Sequence, residues 1–184
     1  MIIGLSGYAG SGKDEVAKIL VSDYGYHRIA FADKVRAVLY DLDPIIMIDA
    51  YNKYITVQDL VNDEGWDDAK KHKEVRALLQ KVGVSIRNHI GESTWVQLAM
   101  KTMLNAPQLD LKYVITDVRF LNEADMIRAN GGQIWRVKRP NVTAVNNHIS
   151  ETELDGYKVD QILSNNGSLE DLKALIEKRM GSAK

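Results

Sequence analysis

A three-layer α/β/α fold around a five-stranded parallel sheet is predicted by three observations. Short β-rich runs alternate with helical apolar patterns along the 184 residues. The first run leads straight into a glycine-rich loop, GYAGSGKD, and the loop into a helix. Charged residues suited to ligand contact fall where the strands end, at the carboxyl edge where open α/β sheets bind their ligands.

The strands expected are Ile2–Ser6, His27–Ala32, Lys112–Asp117, Gln133–Val137 and Gln161–Ser164. Ile2, Ile3, Gly4 and Leu5 form an apolar run that suits a central parallel strand. In the loop that follows, Gly7, four residues, Gly12 and Lys13 fit the phosphate-binding pattern G-x-x-x-x-G-K-[ST] up to its last position. That position holds Asp14, where a Ser or Thr hydroxyl ordinarily meets magnesium. Gly7, Gly10 and Gly12 permit turns that other residues resist, and Lys13 is placed to reach the β- and γ-phosphates. The next helix aims its first N–H groups at the same anion. Its apolar spacing is Val16, Ala17, Ile19 and Leu20, with Asp23 and Gly25 near its end. A glycine-rich turn that merely caps a helix is the bland alternative, and the strand–loop–helix setting weighs against it.

After the second strand, IAFADKVR brings Phe31, Asp33 and Arg36 to the same sheet edge. Arg36 is a candidate for an acceptor phosphate, and Phe31 for either base stacking or the core. From Pro44 to Ala106 no convincing strand is found, and the stretch is expected to be a mainly helical insertion. Within it, KEVRALLQKVGVSIRNHIG has an apolar face of Val75, Leu79, Val82 and Ile86. Arg76, Gln80, Gly83 and Arg87 follow at i, i+4, i+7 and i+11 on a neighbouring stripe. Two arginines flanking an amide and a glycine suit a phosphate and a flat base; a solvated charged face has the same spacing.

KYVITDVRFLNE places Asp117 at the end of the third core strand and Arg119 two residues on. Beside a phosphate loop, Asp117 suits a magnesium-holding acid, a base for the acceptor or a simple helix cap. Arg119 suits a bidentate phosphate clamp or a surface arginine. IWRVKRP supplies Arg136, Lys138 and Arg139, of which Arg139 at the strand's end is the best placed. The polar NVTAVNNHISETELDGY after it is expected to be a mobile lid with a short helix, in which His148 and Glu151 cap or pair. ILSNNGSLEDL puts Asn165, Asn166 and Gly167 before the last helix, either as a plain turn or beside an adenine. Ser168 with Asp171 starts that helix as a capping box, and Leu169, Leu172, Ile176 and Met180 form its apolar stripe.

Bulk properties narrow the class. A 45% hydrophobic and 27% charged chain is that of an ordinary globular domain. With net charge −1, no broad basic surface argues for nucleic acid, and with no cysteine there is neither a disulfide nor a Cys-based metal site. No apolar run approaches the roughly 20 residues of a membrane span, and no secretory signal opens the chain, so a cytoplasmic protein is expected. A single domain, 1–184, is expected, with a core of 1–43 and 107–184, an insertion of about 44–106 and a lid of about 138–157. A monomer fits, as does a homodimer through Trp95–Leu104, although that helix is better explained as core.

GYAGSGKD, the R-x3-Q-x2-G-x3-R helix with Trp95 after it, TDVRFLNE, VKRP…HISE and NNGSLEDL occur in this order. Together they resemble the deoxynucleoside monophosphate kinases of tailed bacteriophages, within the phosphate-loop (P-loop NTPase) proteins, from Ile2 to about Ile176. Animal phosphomevalonate kinases share the GKD loop, and dephospho-coenzyme A kinases are a more distant likeness. The resemblance implies transfer of the ATP γ-phosphoryl group to a deoxynucleoside monophosphate, with small-molecule partners only. It implies a subgroup in which Asp replaces the loop's Ser/Thr, so that Asp14 and Asp117 share the Mg²⁺ environment. Gly7, Ala9, Gly10, Ser11, Gly12, Lys13, Asp14, Glu15 and Asn166 would bind ATP. Lys13, Asp117, Arg119 and Arg139 would serve the transfer. Phe31, Asp33, Arg36, Arg76, Gln80, Gly83, Arg87, Trp95 and Arg119 would bind the acceptor. Another small-molecule kinase, of the phosphomevalonate type, or a non-catalytic ATP-binding module, would share the ATP half.

Overall fold

A computed structural model describes residues 1–48, 53–106, 111–144 and 149–181. In chain order it contains β1 (Ile2–Ser6), α1 (Lys13–Tyr24), β2 (Tyr26–Ile29), α2 (Phe31–Leu42), β3 (Ile45–Met47), β4 (Tyr54–Thr56), α3 (Val57–Glu64), α4 (Trp66–Ala69) and α5 (Lys73–His89). There follow α6 (Thr94–Leu104), β5 (Lys112–Ile115), α7 (Leu121–Ala129), β6 (Gln133–Lys138), α8 (Ile149–Thr152), β7 (Gln161–Ser164) and α9 (Leu169–Gly181). The chain divides into two compact units, Met1–Phe31 with Ala99–Lys184, and Ala32–Leu98.

The first unit is built on a five-stranded sheet in the order β2-β5-β1-β6-β7. Every pairing in it is parallel. Strand β1 is central because its apolar run is buried on both faces. On one face Ile3 and Leu5 join Val16, Ala17 and Leu20 of α1 and Leu172 and Ile176 of α9 in a core that also holds Val114, Trp135 and Leu163. On the other face Gly4 lies under α7, where an added Cβ would stand 2.6 Å from Ile127 Cδ1. Helices therefore cover both faces, and the three-layer expectation holds.

Several boundaries differ from the sequence reading. Strand β2 begins at Tyr26 and stops at Ile29, short of Ala32, because the Asp117 carboxylate accepts the Phe31 N–H at 2.9 Å and the chain turns into α2 there. Strand β5 stops at Ile115, although Thr116 still donates to Ile29 O at 3.1 Å. Strand β6 gains Lys138 through its pairing with Ser164. Residues Ser168 and Asp171 do form the expected reciprocal cap, at 2.9 and 3.2 Å. The apolar stripe of α9 is shorter than expected: Leu172 and Ile176 are buried, but Leu169 is 53% exposed at the helix's first turn.

The second unit has its own core of Leu39, Ile46, Val57, Leu60, Ala69 and Val75. Strands β3 and β4 form an antiparallel hairpin where no strand was expected. Each strand is only three residues long, and Ile46 alone turns inward between exposed Ile45 and Met47, too short an alternation to show a period. Helix α5 forms as predicted, with Val75 buried and Leu79 and Val82 packed against the core. In α6, Trp95, Val96 and Ala99 are buried, while Leu104 at its end is exposed.

Leu169 and Leu172, one exposed and one buried on α9, give a test of this packing. Leu172→Ala is expected to cost about 2–5 kcal/mol, and Leu169→Ala less than about 1, by urea unfolding. Equal losses would contradict the burial pattern.

Candidate active site

The loop Gly7–Gly12 joins the buried end of β1 to α1, at the sheet's topological switch between β5 and β6. Its path depends on positive φ at Gly7 (130°) and Gly12 (102°). Both also need the missing side chain. A Cβ on Gly7 would collide with the Val137 carbonyl oxygen, and one on Gly12 with the Asn165 amide. Gly12 is the N-cap of α1 and no side chain caps it, so the first turn presents its backbone donors to the loop's concave side.

Lys13 folds back into this loop. Its Nζ donates to Gly7 O at 2.7 Å and to Tyr8 O at 2.8 Å. Burial pushes its pKa down to about 8, the Arg119 charge adds to that shift, and Asp14, Glu151 and Asp117 oppose it. Asp14 is exposed and Glu15 half-buried on the first turn of α1.

A cavity of about 400 Å³ opens beside the loop. Ser6, Gly7, Tyr8 and Ser11 form one wall, Val118 and Arg119 another, and Arg136 through Arg139 a third. Ser150, Glu151, Leu154 and Asp155 close it. The hydroxyls of Ser6 and Ser11 are buried and find no hydrogen-bond partner among the described residues. Two orphaned donors in a cation-lined cavity are poised for an anion's oxygens.

The cations of this cavity are held in different ways. The Arg119 guanidinium pairs with Glu151 Oε1 at 2.6 Å, and its backbone N–H donates to Glu123 Oε2 at 2.8 Å. That second carboxylate, buried at 2% exposure, also accepts the Phe120 N–H and so caps α7. The Arg136 guanidinium donates to the backbone carbonyls of Leu154, Asp155 and Tyr157. It is thereby a tether for the segment after α8. Lys138 and Arg139 are exposed on the cavity's third wall.

The segment expected to be a lid is anchored over its second part. Besides the Arg136 tether, the Tyr8 hydroxyl donates to Asp155 at 3.0 Å, Leu121 N to Glu153 Oε1 at 2.9 Å, and the Tyr157 hydroxyl to Asp125 Oδ1 at 2.9 Å. Glu151 does pair, but with Arg119 rather than inside the lid. His148 lies outside the described residues.

Three candidate ligand contacts need correction. Asn165, not Asn166, grips the phosphate loop: its Nδ2 donates to Ser11 O at 3.0 Å and its backbone N–H to Lys138 O at 2.7 Å, while Asn166 is exposed. Two adjacent asparagines look alike in sequence; only the register of β7 against β6 selects one. Phe31 is 5% exposed and belongs to the core, not to a stacking surface. Trp95 is 4% exposed, and its indole N–H is spent on Gly83 O at 3.1 Å, so it supports α5 from within the second unit. Asp117 combines its place at the β5 edge with the helix-capping bond to Phe31 N.

In the second unit, Arg36 lies 3.4 Å from Asp33 and 6.0 Å from the Trp66 ring centroid. Arg76 is exposed, Gln80 and Arg87 are half-buried, and Arg87 Nη1 donates to Glu92 O at 3.0 Å. A Cβ at Gly83 would meet only the Val35 methyls, at 3.9 Å. Packing therefore does not require glycine there.

The coupling of Lys13 to Arg119 can be titrated. The Lys13 ε-CH₂ NMR signal is expected to titrate with a midpoint of about 8, against an ordinary 10.5, and Arg119→Gln should move it upward. A wild-type midpoint at the ordinary value would show that the loop does not bury the amine.

Comparison with known proteins places these features. The family model for deoxynucleotide monophosphate kinase matches residues 45–176. A provisionally named deoxynucleotide monophosphate kinase of Acanthamoeba polyphaga mimivirus is 29% identical over 96% of this chain and 94% of its own length. The deoxynucleotide monophosphate kinase of Enterobacteria phage T4 is 31% identical over 70% of this chain, and that of Escherichia phage RB69 is 32% identical over 56%. The matches span 51% and 43% of those two phage proteins, so the chain corresponds to about half of each.

Proposed function

The chain belongs to the deoxynucleotide monophosphate kinase family, and on that premise we propose that it transfers the γ-phosphoryl group of ATP to the phosphate of a deoxynucleoside monophosphate. A bond forms between an acceptor phosphate oxygen and Pγ, the bond from Pγ to the bridging oxygen breaks, and ADP leaves with that electron pair. The observation that carries the reading is the phosphate loop: an uncapped helix start, two glycines at positive φ and a half-buried lysine beside a cation-lined cavity. Orphaned Ser6 and Ser11 hydroxyls suit phosphate oxygens there.

Lys13 exchanges its two carbonyl partners for the β- and γ-phosphate oxygens, and the anion raises its pKa so that it stays charged during transfer. Arg119 and Arg139 neutralise charge on the moving group. The acceptor is bound by residues of the second unit. Arg36, Arg76 and Arg87 take its phosphate and Gln80 an edge of its base, while Gly83, free of any packing demand, lets the ring approach. Asp33 sets the orientation of Arg36.

Magnesium fits the donor set. Among the described residues no three Asp, Glu, His or Cys side chains converge on one point, so the protein builds no cage of its own. An ion that keeps waters and phosphate oxygens as ligands needs only one or two carboxylates, and on this reading Asp14 and Asp117 supply them. When bound, the ion would offset charge on the phosphate oxygens, with Asp14 and Asp117 the residues that would hold it. No described helix is long and apolar enough to cross a membrane; the phage relatives are what supports work in a host cell's cytoplasm.

ADP release should appear with ATP, Mg²⁺ and at least one of dAMP, dCMP, dGMP and dTMP, offered beside AMP and phosphomevalonate. Release with phosphomevalonate alone would overturn the acceptor assignment. Lys13→Ala is expected to lower kcat by about 10²–10³-fold; near-normal turnover would show that the site is misplaced. Asp14→Ser should retain activity while Asp14→Ala weakens the magnesium dependence, read from rate against Mg²⁺ concentration. An unchanged profile in Asp14→Ala would remove that residue from the metal's surroundings.

A further inference from the structure

Glu151 is a carboxylate in a cavity suited to anions. Its side chain is 8% exposed, and it shares the cavity lining with Arg119, Lys138 and Arg139. A negative charge there repels the triphosphate that the site is to bind, and burying it costs free energy that a polar neutral residue would not incur. Such a placement needs a compensating role. The compensation visible is the 2.6 Å bond from Arg119 Nη1 to Glu151 Oε1.

The two ends of Arg119 are fixed by two different carboxylates. Glu123 takes its backbone N–H at 2.8 Å, which fixes the point on the loop between β5 and α7 from which the side chain departs. Glu151 then sets where the guanidinium ends. The segment that carries Glu151 is itself held: Glu153 accepts the Leu121 N–H, Asp155 accepts the Tyr8 hydroxyl, and Arg136 donates to Asp155 O at 3.1 Å. The other acids of this segment are thus spent on docking, and Glu151 is the one directed at a cavity cation. Without that bond, a guanidinium 42% exposed on a long side chain would sample many rotamers.

We propose that Glu151 is a positioning residue that holds the Arg119 guanidinium in the orientation from which it meets the transferring phosphoryl group. The inference rests on the kinase reading above. A cation fixed before the substrate arrives need not be ordered during the reaction, and that is the gain in rate. The remaining N–H groups of the fork face the phosphate while Nη1 stays on Glu151.

The test is a double-mutant cycle of Glu151→Gln and Arg119→Ala, with kcat, KM for ATP and melting temperature for each protein. E151Q is expected to lower kcat by about 10- to 100-fold, the scale of a misplaced catalytic group. KM for ATP should stay within about threefold, as for an interaction made in the transition state. In the R119A background the same change should alter kcat by less than about twofold, since its target is gone. In the ligand-free protein, ¹⁵N relaxation of the Arg119 Nε–H group should report a rigid guanidinium that E151Q frees. Should E151Q fail to fold, Glu151→Asp, which keeps the charge but draws it back from Arg119, takes its place. An E151Q enzyme with kcat within twofold of wild type, or faster, would overturn the proposal while leaving the kinase reading intact. So would equal losses in both backgrounds, or a freely rotating Arg119 in the wild type. No turnover by the wild-type protein with any deoxynucleotide would overturn the kinase reading, and this proposal with it.

Discussion

A loop that must aim its backbone donors at one point cannot also fill the space with side chains, and the first unit is organised around that constraint. Gly7 and Gly12 adopt positive φ, and each sits where even a Cβ would strike neighbouring atoms. The neighbours are themselves fixed. The Val137 carbonyl belongs to β6, and Asn165 follows β7, so the loop is clasped by the two strands on one side of β1. The register of β7 on β6 and the shape of the phosphate loop are therefore one problem. A shift of either strand would withdraw the Asn165 bond to Ser11 O or drive the Val137 carbonyl into the loop.

Electrostatics at this edge follow from the same crowding. Lys13, Arg119, Arg136, Lys138 and Arg139 gather at the loop and its cavity, and repulsion among them has to be managed without a ligand. Three different solutions coexist. Lys13 uses the loop's own carbonyls and has a depressed pKa, Arg136 uses the carbonyls of the segment after α8, and Arg119 uses a carboxylate. Lys138 and Arg139 stay in solvent, where charge is cheap. Only the carbonyl and carboxylate solutions give direction as well as compensation, because a hydrogen bond has a geometry that bulk water lacks.

The second unit meets a different requirement. Its core is small, and Val75 of α5 is that helix's one fully buried residue. Arg76 of α5 is exposed, and packing does not demand a glycine at Gly83. Polar residues that a fold does not need are where binding chemistry can be placed. Trp95 shows the complementary case: the family resemblance made it a ligand candidate, yet it is buried and its indole N–H is used in holding Gly83.

The parallel α/β architecture, the phosphate loop, the helix of the R-x3-Q-x2-G-x3-R stripe and the acid after β5 were all legible in the chain. Each is local: a period of 2 or 3.6, a run of apolar residues, or a spacing within one loop determines it. The sequence could not choose between Asn165 and Asn166, foresee the three-residue hairpin strands, or separate buried Phe31 and Trp95 from ligand-facing aromatics. Nor could it pair Arg119 with Glu151, which stand 32 residues apart. Those outcomes depend on strand register, on which way a helix face turns and on how distant segments dock. They are settled by the mutual exclusion of atoms in a packed interior, a property that no single stretch of the chain carries by itself.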